Sequence, residues 1–129
     1  MSYSSVPQVR VHKSWAGRDK FRDALAARIP FATSGSLQGL LGRDWFGTGR
    51  LNKLDSERLY DARDQGALGF VVYSYATPIF WYITKAVKHG DGTRTRRGWH
   101  QTAQKFSVTT SKQQGAVGAA LAIAGIEVQ

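Results

Sequence analysis

The chain has 129 residues, of which 42% are hydrophobic and 12% aromatic, with no cysteine and 18 Lys and Arg against 9 Asp and Glu, for a formal net charge of +9. A chain of this length buries about two-thirds of its unfolded surface, and its aromatic content offsets the entropy of ordering, so disorder is excluded and a single domain over 1–129 is expected, with 1–17 as an extended arm. The absence of Cys excludes thiol nucleophiles, thiolate zinc sites and a disulfide framework. The start of the chain lacks a secretory leader, and its longest apolar stretch, 115–128, is shorter than the roughly twenty residues that cross a bilayer, so a soluble cytoplasmic protein with no membrane partner is expected.

Alternation in Val9-Arg10-Val11-His12 predicts a short strand within that arm. From Arg18 the apolar spacing becomes three and four, through Phe21, Ala24, Leu25 and Ile29, which predicts an amphipathic helix over 18–28, stopped by Pro30 because proline offers no backbone N–H. Phe31–Leu37 reads as one short strand with an irregularity at Gly35, and the four glycines between Gly39 and Arg50 predict a loop pinned by Trp45 and Phe46. Asp55 is placed to cap a helix from about Ser56 to Gln65 that ends at Gly66.

Residues 69–84 carry the densest β signal. Phe70–Tyr75 and Ile79–Thr84 are rich in β-branched and aromatic residues and are separated by Ala76-Thr77-Pro78, so they predict a hairpin. Strand alternation places Val71, Tyr73 and Tyr75 on one face and Phe70 and Val72 on the other, while Ile79, Trp81 and Ile83 oppose Phe80 and Tyr82. Both faces are apolar enough to require a helix over the sheet. Residues 85–104 are polar, with a tight turn at Gly90-Asp91-Gly92, and predict a long connection with an extended hairpin. Phe106–Thr110 is expected to be a strand, and Ser111-x-x-Gln114 a capping box that opens a last helix with Val117, Ala120, Leu121 and Ala124 on one face and a break at Gly125. The fold class that follows is α+β: an antiparallel sheet of about three to five strands with three helices packed on it, and a long basic hairpin or loop at 85–105.

Two segments, Tyr73-Ser74-Tyr75-Ala76-Thr77-Pro78-Ile79-Phe80-Trp81 and Phe106-Ser107-Val108-Thr109-Thr110-Ser111-Lys112-Gln113-Gln114, resemble a family of small uncharacterised proteins encoded by actinobacterial phages, and Phe31–Leu37 resembles that family's upstream segment. Together these cover about a third of the chain. The resemblance implies a phage or prophage origin, with a host-cell cytoplasmic location, and it brings no established activity. This sequence departs from the family's pattern at 85–104, where a basic insert stands in place of a shorter connection.

The excess charge sits in two blocks. Residues 1–30 hold six basic and two acidic side chains and residues 85–105 six and one, whereas 31–84 balance at five and five. Lys85, Lys88, Arg94, Arg96, Arg97 and Lys105 surround Trp99, a mixture of phosphate-seeking cations and an aromatic platform that suits nucleic acid, DNA or RNA. The alternative is a solvated loop whose charge keeps a strand edge from pairing. Tyr73, Tyr75, Trp81 and Tyr82 offer a second stacking surface, against the simpler expectation that they fill the core. Thr110, Ser111 and Lys112, at the start of the last helix, form a candidate anion site, weighed against plain capping. Gly47-Thr48-Gly49-Arg50 lacks the spacing and Lys of a phosphate loop.

Catalytic signals are sparse. His12, His89 and His100 are the only histidines, no metalloprotease, nucleophile-elbow or paired-carboxylate motif is present, and the one candidate base is His100 beside Asp91, as in a nuclease. No metal, cofactor or catalytic residue is expected. The reading is therefore a small, non-enzymatic, phage-encoded accessory protein that binds nucleic acid. Its rival is an interaction protein that docks on and modulates an acidic host protein through Trp15, Trp45, Phe46 and Tyr60.

Overall fold

Helix formation begins with an apolar stripe. In helix α1 (Arg18–Ala27), Ala24 and Leu25 are buried and Phe21 packs beside them. Its end is set by Arg28, which takes a left-handed conformation (φ 54°) usually left to glycine, while Ile29 N–H bonds back to the Ala24 carbonyl at 2.8 Å. The Arg28 guanidinium then lies 4.2 Å from the centre of the Tyr82 ring, a cation–π contact that offsets part of the backbone cost. The computed structural model describes residues 9–11, 18–33 and 36–129.

The sheet is assembled from β1 (Val9–Val11), β2 (Phe31–Thr33), β3 (Leu37–Leu41), β4 (Leu68–Ser74), β5 (Thr77–Ile83) and β8 (Gly98–Gln101), in the spatial order β1-β2-β3-β4-β5-β8. The five strands from β2 to β8 are antiparallel, and β1 is added parallel to β2, with Val9 opposite Phe31. A separate ribbon is made by β6 (Val87–Lys88) and β7 (Arg94–Thr95). Helix α2 (Lys53–Asp64) and helix α3 (Val108–Ile123) complete an α+β fold with three helices. None of these helices is long and apolar enough to cross a membrane.

The two sheet faces build two cores. One gathers Phe70, Val72, Phe80 and Trp99 with Ala24 and Leu25 of α1 and Val117 and Leu121 of α3. The other gathers Val71, Tyr73, Trp81 and Ile83 with Leu59 and Ala62 of α2. This is the alternation expected from the sequence, except at Tyr75, which leaves the strand at the turn after Ser74, and at Ile79. Tyr73 pairs with Pro78 directly after Val72 pairs with Phe80, so Ile79 is an extra residue in the β5 strand and turns into the first core instead of joining Trp81 and Ile83.

Several boundaries differ from expectation. The β4–β5 turn is Tyr75-Ala76, because Thr77 and Pro78 already pair with Ser74 and Tyr73. Phe31–Leu37 is not one strand but parts of two, since β2 and β3 pair antiparallel with Phe31 opposite Gly39, and the expected irregularity at Gly35 lies outside the described residues. The expected loop from Gly39 therefore begins as strand, then becomes a short 3-10 turn at Gly42–Asp44. Helix α2 starts earlier, because Asn52 rather than Asp55 is its cap, with Asn52 Oδ1 accepting from Asp55 N–H at 2.8 Å. Phe106–Thr110 is not a strand. Ser107 Oγ accepts from Thr110 N–H at 3.2 Å and opens α3, so Ser111 lies inside the helix and caps nothing. β-Branched residues at 108–110 favour a strand locally, but the Thr110, Gln114, Val117 and Leu121 stripe is buried as a helix face, and packing outweighs that propensity.

Candidate nucleic-acid interface

The ribbon is shaped by its turn. Gly92 N–H bonds the His89 carbonyl and His89 N–H bonds the Thr93 carbonyl, while Gly92 sits at φ 87°, the left-handed position that closes a three-residue hairpin loop. Asp91 Oδ1 accepts from both the backbone N–H and the hydroxyl of Thr93, and these bonds hold the Asp91 carboxyl below its usual value. Pairing of Val87 with Thr95 and of Lys88 with Arg94 then separates two faces. Val87 is fully buried in the α2-side core and Thr95 bonds to His89, so Lys88 and Arg94 share the outer, exposed face.

The hairpin expected within this long connection forms, and it lies against α2. His89 Nδ1 is 2.7 Å from Asp61 Oδ2, Arg58 donates to Thr93 Oγ1 at 3.2 Å and is 3.9 Å from Asp91, and the Gln65 side-chain amide both accepts from Lys88 N–H at 3.1 Å and donates to its carbonyl at 2.6 Å. Gln65 thus occupies the place a further strand would take beside β6. Arg58, Asp61 and Gln65 were not singled out from the sequence. Their only signal was a polar stripe at spacings of three and four along α2 and its C-cap, while their partners lie 23 to 35 residues away.

The basic side chains remain available. Lys85, Lys88, Arg94, Arg96, Arg97 and Lys105 are all exposed, and among the described residues none has a side-chain hydrogen bond, an ion pair or a ring contact. The acidic groups nearest the ribbon are already engaged, Asp61 with His89 and Asp91 with Thr93 and Arg58. Five of the six cations belong to the ribbon and its base. Lys105 stands apart, next to Gln104, which bonds Asn52 and Arg50 at the start of α2, whereas Lys88 backs on to Gln65 at its end.

Trp99 does not join them. Its ring is 2% exposed and packs edge-on against Phe70 and Tyr82, with centroids 6.0 and 5.6 Å away, so it is a core residue of β8 and not a stacking platform. The sheet aromatics behave likewise: Tyr73 and Trp81 are buried, Tyr82 lies under Arg28, and only Tyr75, at the β4–β5 turn, is widely exposed. The Tyr73 hydroxyl donates to the Gly47 carbonyl and accepts from Phe46 N–H, and burial pushes its pKa up to about 12.

The other candidate positions are dispersed. Thr110 is buried, with its hydroxyl bonded to Ser74 and Ser107, whereas Lys112 faces solvent, so Thr110, Ser111 and Lys112 do not converge on an anion. Gly49 serves packing, since a Cβ there would fall 2.2 Å from the Ala76 carbonyl oxygen. His100 is not paired with Asp91. Its Nε2–H donates to the Arg96 carbonyl at 2.7 Å, and burial lowers its pKa, a shift that this bond opposes. The open groove of about 250 Å³ between α2 and the ribbon turn is lined by Glu57, Asp61 and Asp91 as well as Arg58 and His89, a mixed lining unsuited to an anion. Among the described residues no group of three or more His, Asp or Glu is placed to hold a metal ion.

For the docking alternative, Trp15 lies outside the described residues. Phe46 is half exposed yet stacks on Tyr73 with centroids 4.0 Å apart, and Trp45 and Tyr60 meet edge-on beneath Arg63. Comparison with protein-family models, curated proteins and solved structures finds no match.

Proposed function

We propose that this chain is a small, non-enzymatic, phage-encoded accessory protein that binds nucleic acid through phosphate contacts from Lys85, Lys88, Arg94, Arg96 and Arg97. The observation that carries the reading is the Lys88–Arg94 pair. Two cations directly opposite each other across a ribbon repel, and no carboxylate among the described residues relieves them. A pairing that costs stability within the molecule is explained by an anion outside it. The phage origin rests on the sequence resemblance alone.

The test is titration of Arg94→Ala/Arg96→Ala/Arg97→Ala against labelled nucleic acid at several salt concentrations. With five phosphates neutralised, log K falls against log salt with a slope of roughly −4 to −5, and losing three cations reduces that slope by about 3. The melting temperature stays within a few degrees, since exposed substitutions usually cost no more than about 0.5 kcal/mol. Unchanged affinity in a folded triple variant overturns the reading.

The rival reading, docking on a host protein, draws on Phe46 and Tyr60, which are 50% and 42% exposed. Capture of one acidic host protein that survives nuclease treatment and is lost in Phe46→Ala/Tyr60→Ala favours the rival.

A further inference from the structure

The outer face of the ribbon differs from a single-strand site in two respects. Proteins that hold single strands combine a basic track with aromatic rings on which bases stack. Trp99 is the only Trp, Tyr or Phe in residues 85–105, and it is buried. His89 is enclosed between Asp61 and Thr95, and the outer nitrogen of His100 is committed to the Arg96 carbonyl. Within residues 85–105, therefore, no ring is offered to a base.

The second difference is rigidity. Val87 is sunk in the core, Gln65 bonds both backbone groups of Lys88, and Arg58 and Asp61 hold the turn, so the backbone positions that carry Lys88 and Arg94 are fixed before any ligand arrives. A backbone held in place matches a regular ladder of phosphates better than a strand that must be ordered on binding, since ordering costs affinity.

Geometry then separates the two kinds of duplex. Two strands lie about 4.8 Å apart, and the major groove of B-form DNA, about 12 Å wide, admits a two-stranded ribbon. The major groove of A-form RNA is too deep and narrow. We infer that the ligand of this face is B-form duplex DNA, with the Lys88 and Arg94 side laid across the major groove and Lys85, Arg96 and Arg97 reaching the flanking phosphates. The inference rests on the preceding reading that the ribbon binds nucleic acid.

Fluorescence anisotropy with the unaltered protein and three labelled polymers of one sequence tests it: duplex DNA, its separate strands, and duplex RNA, all at the same salt. The expected result is at least about tenfold tighter binding to duplex DNA than to either alternative, with a minor-groove ligand failing to compete. Equal or tighter binding to single strands, or to duplex RNA, overturns the choice of ligand while leaving nucleic-acid binding intact. Binding to none of the three removes the underlying reading and this inference with it.

Discussion

Tyr73 shows how one buried side chain can hold a loop in place. Its hydroxyl satisfies both Phe46 N–H and the Gly47 carbonyl, and its ring carries Phe46. Replacing it with Phe keeps the ring and strands two backbone groups, at a cost of about 1–3 kcal/mol. The sign of its pH effect follows from the pKa, which burial raises from 10.0 to about 12. The stability held by the protonated phenol is complete below pH 10 and is lost as pH rises through about 12. Denaturant melts across this window should show an alkaline decline in the unaltered protein that Tyr73→Phe flattens. An identical decline in both would show that Tyr73 does not drive it.

At the scale of elements, the informative disagreements lie at helix starts. A capping box at Ser111 fits the sequence, yet the structure uses Ser107, because extending α3 upstream brings the Thr110 hydroxyl to Ser74 in the interior, 3.0 Å away. Ser107→Ala should therefore lower stability by about 1 kcal/mol and Ser111→Ala by much less, as read from melts of the two variants. The reverse order would restore the expected strand at 106–110.

Helix stops were more legible than starts. Gly66 and Gly125 both take the left-handed conformation expected at an end, and Pro30 follows the stop of α1, because these residue types carry their backbone preference with them. The hairpin of β4 and β5 was legible for the same kind of reason. The Ile79 bulge was not, since an extra residue in one strand is defined only by its partner. The ribbon was found as a turn with flanking cations, but its anchorage to Arg58, Asp61 and Gln65 joins residues that no local pattern links.

At the scale of the whole molecule, the +9 charge acts in two opposite directions. Salt screens self-repulsion, which favours the folded chain, and it also favours release of any polyanion. Raising salt should therefore increase the melting temperature by on the order of a few degrees while weakening nucleic-acid affinity steeply. The pairs Lys53–Glu57 and Arg63–Asp64 are too exposed to reverse the first trend. A melting temperature that falls with salt would mean that internal attraction outweighs the excess charge.

By itself the sequence determined the α+β class, the two-faced β4–β5 hairpin and the place where positive charge accumulates, because composition, alternation and turn residues act over a few neighbours. Only the tertiary structure decided that Trp99 is core, that Thr110, Ser111 and Lys112 point different ways, and that the ribbon lies pinned along α2 with its cations unpaired among the described residues. Those outcomes depend on which distant surfaces bury one another, and burial is settled by the packing of the whole chain.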